Sequence, residues 1–176
     1  NDARLALALA RTAATKGALL VNYCKAVSLQ YAEGKISGLV CEDTLGGQQF
    51  TIQSRCVINA TGVWVDALRG QDSAADATAP ASAAKPIVAP SQGVHIVVDK
   101  EFLGSDTALL VPKTRDGRVL FAVPWLGKVI LGTTDTPRTG LDLEPTALKE
   151  EVDFILTESA RYLRKAPKAA DVKSVW

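Results

Sequence analysis

His95, the only histidine, stands in the apolar run Val94-His95-Ile96-Val97-Val98. An imidazole, with an unperturbed pKa of about 6.5, can take and return a proton near neutrality, although a lone histidine in an apolar strand is more often structural. Thr133-Thr134-Asp135 gathers short polar groups after the apolar run Val129-Ile130-Leu131. Such groups either brace a turn by bonding the backbone or stand beside a ligand. Ala60-Thr61-Gly62 follows Cys56-Val57-Ile58-Asn59 and leads into Val63-Trp64-Val65-Asp66. A buried strand that breaks at Thr-Gly and enters a helix is typical of α/β nucleotide folds, whose turn amides can face a phosphate or ribose, and glycine permits close approach. A plain strand-to-helix turn is the alternative. No complete phosphate-cradling loop is present, neither Gly-x-Gly-x-x-Gly nor a P-loop pattern. Lys113, Arg118 and Arg138 could meet a phosphate and equally read as solvated charges, so no phosphate ligand is assigned. Cys24, Cys41 and Cys56 form an odd set without a Cys-x-x-Cys pair, which points to a reducing compartment and to no metal site. The sequon Asn59-Ala60-Thr61 lies against the buried-strand reading and is not expected to carry a glycan.

Several elements must position these groups. Asn1 or Asp2 can cap a helix that Gly17 ends, and its alanines beside Leu5, Leu7 and Leu9 suit a helix lying close on a sheet. Val27, Leu29 and Tyr31 alternate, Glu33-Gly34-Lys35 turns the chain, and Ile36 to Cys41 returns it; Asp43 to Gly47 turns it again into Phe50 to Gln53, giving a three-stranded meander. Cys56 to Asn59 then reads as a short buried strand. The alanine-rich stretch 73–84 has no large apolar side chain and reads as a loop or boundary. Beyond it, Val94 to Val98, Ala108 to Val111, Val119 to Val123 and Val129 to Leu131 predict at least four antiparallel strands, with Arg115-Asp116-Gly117 and Leu126-Gly127 as turns. Pro145 fits a helix's first turn, and Leu148, Val152, Ile155, Ser159 and Leu163 form its apolar stripe. Lys149, Glu150, Glu151 and Asp153 read as its solvated face. Trp64 and Trp125 read as packing residues.

With 20 Lys+Arg against 19 Asp+Glu, the chain of 176 residues has no broad cationic field, so a dedicated nucleic-acid binder is not expected. No apolar run approaches the roughly 20 residues of a spanning helix, and no secretory signal is read at the N-terminus. Methionine is absent, and Ser174-Val175-Trp176 reads as a strand without a stop signal, so the expectation is an internal slice of a longer protein.

Five separated segments carry a resemblance: Asn1-Asp2-Ala3-Arg4-Leu5, Val57-Ile58-Asn59-Ala60-Thr61-Gly62-Val63-Trp64-Val65-Asp66, Gln92-Gly93-Val94-His95-Ile96-Val97-Val98, Asp116-Gly117-Arg118-Val119-Leu120-Phe121-Ala122-Val123-Pro124-Trp125 and Leu131-Gly132-Thr133-Thr134-Asp135-Thr136. In order and approximate spacing they resemble the FAD-dependent, quinone-linked sn-glycerol-3-phosphate dehydrogenases of the D-amino-acid-oxidase-like superfamily. The resemblance implies an α/β and α+β architecture: residues 1–83 as part of a glutathione-reductase-like FAD domain, and residues 84–176 as an antiparallel-sheet substrate-binding cap with packed helices. It implies oxidation of glycerol 3-phosphate to dihydroxyacetone phosphate, with electrons passing through FAD to membrane quinone. By the same resemblance His95 faces flavin and substrate as base or hydroxyl-orienting group, Thr133, Thr134 and Asp135 stand on the substrate or flavin side, and Ala26, bracketed by Lys25 and Val27, reads adenine. Ala60, Thr61 and Gly62 are the best-supported FAD contacts. A cytoplasmic protein at the membrane periphery is implied, and self-association is left open. The family's dinucleotide loop and an Arg-Pro active-site segment match nothing here, so this slice alone is expected to be inactive. The competing readings are another oxidase of the superfamily, acting on an amino acid or a 2-hydroxy acid, and a non-catalytic β-rich binding module.

Overall fold

The computed structural model describes residues 2–75 and 85–176. The chain divides into two compact units, Asn1–Lys85 and Pro86–Trp176. The alanine-rich boundary predicted at 73–84 lies, from residue 76 on, outside the described residues.

In the first unit, helix α1 (Asp2–Thr15) ends where Gly17, at φ 90°, turns left-handed and the amide of Ala18 donates to Ala13 O at 3.1 Å. The alanine-and-leucine pattern predicts a helix covering a sheet, but none of its described side chains is buried and Leu5, Leu7 and Leu9 stay exposed. Strands β1 (Cys24–Ala32), β2 (Lys35–Asp43) and β3 (Gln49–Gln53) form the expected antiparallel meander. Its first turn uses Glu33 and Gly34 at φ 52° and 73°, both left-handed, as a two-residue hairpin requires. Gly38 tolerates no substitute, because a Cβ there would lie 2.1 Å from Ile52 O.

The segment Cys56–Asn59 corrects the sequence reading. It belongs to no strand, since among the described residues nothing pairs with its backbone, and Ile58 is 85% exposed. An apolar run becomes a strand only when a neighbour supplies the ladder. After it come a 3₁₀ turn (Gly62–Trp64) and helix α2 (Val65–Ala75).

The second unit holds a described core. Strands β4 (Ser91–Gln92), β5 (His95–Asp99), β6 (Leu109–Val111), β7 (Leu120–Trp125), β8 (Lys128–Gly132), β9 (Thr136–Pro137) and β10 (Ser174–Val175) make a five-stranded antiparallel sheet in the order β10-β5-β8-β7-β6, plus the small pair β4-β9. Alternation sets the faces. Ile96 and Val98, Leu120 and Ala122, Val129 and Leu131 point inward and are almost fully buried with Phe102, Ile155 and Leu156. His95 and Val97, Phe121 and Val123, Ile130 and Gly132 occupy the alternate positions. Pro124 fits in β7 because β6 pairs only with Leu120–Ala122 and stops short of it.

Helix α3 (Lys149–Ser159) begins later than Pro145 suggests, and Leu163 lies past its end, in a turn whose amide donates to Ser159 O at 3.0 Å. The stripe packs as predicted, with Ile155 and Ser159 fully buried. The solvated-face reading fails at Glu151, which is buried in the helix's first turn, whereas Lys149 and Asp153 form an exposed ion pair one turn apart.

Candidate functional site

In the second unit, backbone pairing at the start of β5 places His95. Its amide donates to Trp176 O at 2.8 Å, and the Trp176 amide donates back to His95 O at 3.1 Å. The rings stack with centroids 5.7 Å apart and planes inclined by 22°. Across the sheet His95 is in register with Gly132. A Cβ at Gly132 would come within 2.4 Å of His95 Cδ2 and 2.9 Å of Val94 O, so the half-buried imidazole lies over the one cross-strand position without a side chain.

The chain leaves β8 through a cis peptide between Gly132 and Thr133 and packs onto the segment before His95. A Cβ at Gly93 would meet Thr133 Oγ1 at 2.7 Å. Thr134 is buried, and its hydroxyl accepts from the Val94 amide at 3.0 Å while donating to Glu151 Oε1 at 3.2 Å. The hydroxyl is therefore committed within the interior. Thr133, half-buried, donates to Thr134 O at 3.0 Å, and Asp135 is exposed.

Glu151 gathers donors from three directions. Its Oε2 accepts from Gln92 Nε2 at 2.8 Å and from the Leu148 amide at 2.9 Å, and Gln92 Nε2 also donates to Thr146 O at 2.9 Å. Burial alone would raise the Glu151 pKa, but hydrogen bonds from Thr136, the Leu148 amide, Gln92 and Thr134 outweigh it and hold the carboxyl below its ordinary value. Neutral donors alone satisfy this anion, because among the described residues no cation reaches it. Sequence reasoning missed both Gln92 and Glu151 as site residues. Glu151 does occupy the third helical position, where a carboxylate commonly reaches back to the cap amide, but Leu148 carries no acceptor to complete that signature.

Of the cations considered for a phosphate, Arg118 is tied to Asp116 at 2.7 Å and lies 4.5 Å above the Phe154 ring, and Arg138 stands 4.0 Å from Asp142. Lys113 is exposed.

In the first unit, Asn59 organises the Ala60-Thr61-Gly62 turn. Its Oδ1 accepts from Thr61 Oγ1 at 2.8 Å, and its Nδ2 donates to Val65 O at 3.0 Å, fastening the turn to the start of α2. Gly62 is left-handed at φ 58°, and a Cβ there would meet nothing within 4 Å. Ala60, Thr61 and Gly62 are all exposed, forming an open, small-residue approach to a helix start, where backbone amides could meet an anion. Ala26, also exposed, pairs with Cys41 just before a register break. Val27 lies in that break, and its carbonyl accepts from Gln71 Nε2 of α2 at 3.1 Å. The unit thus holds Ala26 and the turn on elements that are hydrogen-bonded to each other.

Among the described residues no three His, Cys, Asp or Glu are grouped to hold a metal, and no helix is long and apolar enough to cross a membrane.

A family model described as FAD dependent oxidoreductase (DAO) matches residues 1–176. The mitochondrial glycerol-3-phosphate dehydrogenase of Homo sapiens is 42% identical over 184 residues, covering 100% of this chain and 24% of that protein. The mitochondrial glycerol-3-phosphate dehydrogenase SDP6 of Arabidopsis thaliana is 38% identical over 181 residues, 100% of this chain and 27% of its own length. A crystal structure of the glycerol-3-phosphate dehydrogenase from Bacillus halodurans complexed with FAD superposes with a TM-score of 0.86 at 36% identity, covering 99% of this chain and 34% of that one. The chain therefore spans 24% to 34% of the length of these proteins.

Proposed function

The chain belongs to the FAD-dependent oxidoreductase family, and from that premise we propose that it is part of an enzyme oxidising sn-glycerol 3-phosphate to dihydroxyacetone phosphate. The substrate is supported by the names of the similar proteins. The observation that carries the chemistry is His95, stacked on Trp176 and lying over Gly132 at the start of β5.

In the first unit Ala60, Thr61, Gly62 and Ala26 would hold part of FAD, through exposed backbone at the α2 start and at the β1 bulge. Bound FAD supplies the acceptor for the hydride that leaves C2 of the alcohol. In the second unit an unprotonated imidazole nitrogen of His95 takes the C2 hydroxyl proton as the carbon–oxygen double bond forms. Stacking on Trp176 restricts the ring in the space that Gly132 leaves open, so less orientation remains to be frozen when substrate arrives. Thr133 and Asp135, which follow β8 on either side of the internally committed Thr134, would orient substrate hydroxyls. Electrons would pass onward to a membrane quinone.

The test uses the full-length protein. Glycerol 3-phosphate should bleach the bound flavin, whereas glycine, sarcosine and 2-hydroxyglutarate should not; bleaching by one of these instead would reassign the substrate. His95→Ala should keep its yellow FAD and lose about 10²–10⁴-fold in kcat. Unchanged turnover would return His95 to a packing role. Reduction of an added quinone analogue by glycerol 3-phosphate checks the acceptor.

A further inference from the structure

We infer that Glu151 is a positioning residue for His95, holding through neutral hydrogen bonds the two chain segments that fix the imidazole. This rests on the reading of His95 as the proton acceptor. One segment is Gln92–Val94, which leads into His95; the other is Gly132–Thr134, whose first residue leaves the space the imidazole fills.

The carboxylate touches both. Gln92 Nε2 donates to Oε2 at 2.8 Å, and the Thr134 hydroxyl donates to Oε1 at 3.2 Å while accepting from the Val94 amide at 3.0 Å. From carboxylate to His95 the path is thus one hydroxyl and one backbone amide long. The Leu148 amide, at 2.9 Å, anchors the same carboxylate to the first turn of α3, whose Ile155 is locked in the core. A cap for α3 alone would need only that one bond. The remaining donors come from Gln92 of β4 and from Thr134 in the segment after β8.

A carboxylate is required because every group aimed at it donates. A glutamine could keep its oxygen toward Gln92 and the Leu148 amide only by turning its N–H to the Thr134 hydroxyl, which would then have to accept there as well as from the Val94 amide and would lose the acceptor of its own proton. A Thr134 hydroxyl without an acceptor is a buried unsatisfied donor, and the hydroxyl it belongs to is the one that holds the Val94 amide beside His95.

The test uses the full-length holoenzyme with Glu151→Gln, Thr134→Val and Thr134→Ser. Thr134→Val keeps the side chain's shape and removes the hydroxyl that links the carboxylate to the Val94 amide, so it can overturn the inference even if Glu151→Gln fails to fold. We expect both Glu151→Gln and Thr134→Val to lose about tenfold or more in kcat, with KM for glycerol 3-phosphate within about threefold and flavin content unchanged. Thr134→Ser, which keeps the hydroxyl, should recover at least half of the turnover. Independently of activity, amide hydrogen exchange in the peptide containing Val94 should accelerate about tenfold in both damaging variants. Native kcat and native exchange in a folded Thr134→Val protein would overturn the inference and leave Glu151 as a helix cap. Full turnover in His95→Ala would instead remove the catalytic reading, and the exchange rate at Val94 would then alone decide whether Glu151 holds the segment.

Discussion

At Gly132 a missing side chain shapes the second unit. Most cross-strand pairs gain stability from two side chains in contact, but here the facing position holds only hydrogen so that the His95 ring can lie across it. Gly132→Ala should therefore act on the ring before it acts on the fold. The added methyl would overlap Cδ2 and crowd Val94 O, and we expect turnover of the full-length enzyme to fall about 10²-fold, the cost of displacing a reacting group by roughly 1 Å. Steady-state kinetics beside a thermal melt would check this: a variant that melts early and turns over normally when cold contradicts the assignment. The Gly132 requirement was not legible in the sequence, because a glycine at a strand end reads as a turn signal. The pairing that makes it necessary joins residues far apart in the chain.

At the scale of elements, the turn before α2 depends on Gly62 for backbone conformation and not for space. Its φ of 58° is left-handed, and a methyl would meet open surroundings. Gly62→Ala should cost about 1–2 kcal/mol of stability from backbone strain alone, measured by urea unfolding, and Gly62→Asn should recover part of it. If FAD lies against this turn, both variants retain flavin less well on gel filtration, and equal retention would separate the turn from the cofactor. The meander and the sheet of the second unit were readable because alternation and turn residues such as Glu33-Gly34 are local signals. Cys56–Asn59 misled because an apolar run carries no information on whether a neighbour pairs with it. Glu151 misled because Lys149, Glu150 and Asp153 beside it are solvent-facing, while Gln92, the partner that buries it, lies 59 residues away.

For the molecule as a whole, the acidic limb of stability should carry the mark of Glu151. Its carboxyl is held below the ordinary 4.5 in the folded state, so the folded protein binds this proton less readily than the unfolded chain does. The resulting stability is present above about pH 4.5 and is lost as pH falls through the depressed folded value. Asp99, bonded by the Lys128 ammonium, and Asp116 are lowered too, but they act equally in a Glu151→Gln background. Urea unfolding from pH 7 to pH 3 should thus show the difference between native protein and Glu151→Gln shrinking on acidification; a constant gap would contradict an ionised Glu151. The exposed pairs Lys128–Asp99 and Lys149–Asp153 are bridges that dissolved ions can screen. Among the described residues the Glu151 anion is matched only by uncharged donors, inside the second unit and beyond the reach of mobile counter-ions. Brine should loosen the outer surface of this unit while its centre, and the imidazole tethered to it, remain indifferent to ionic strength.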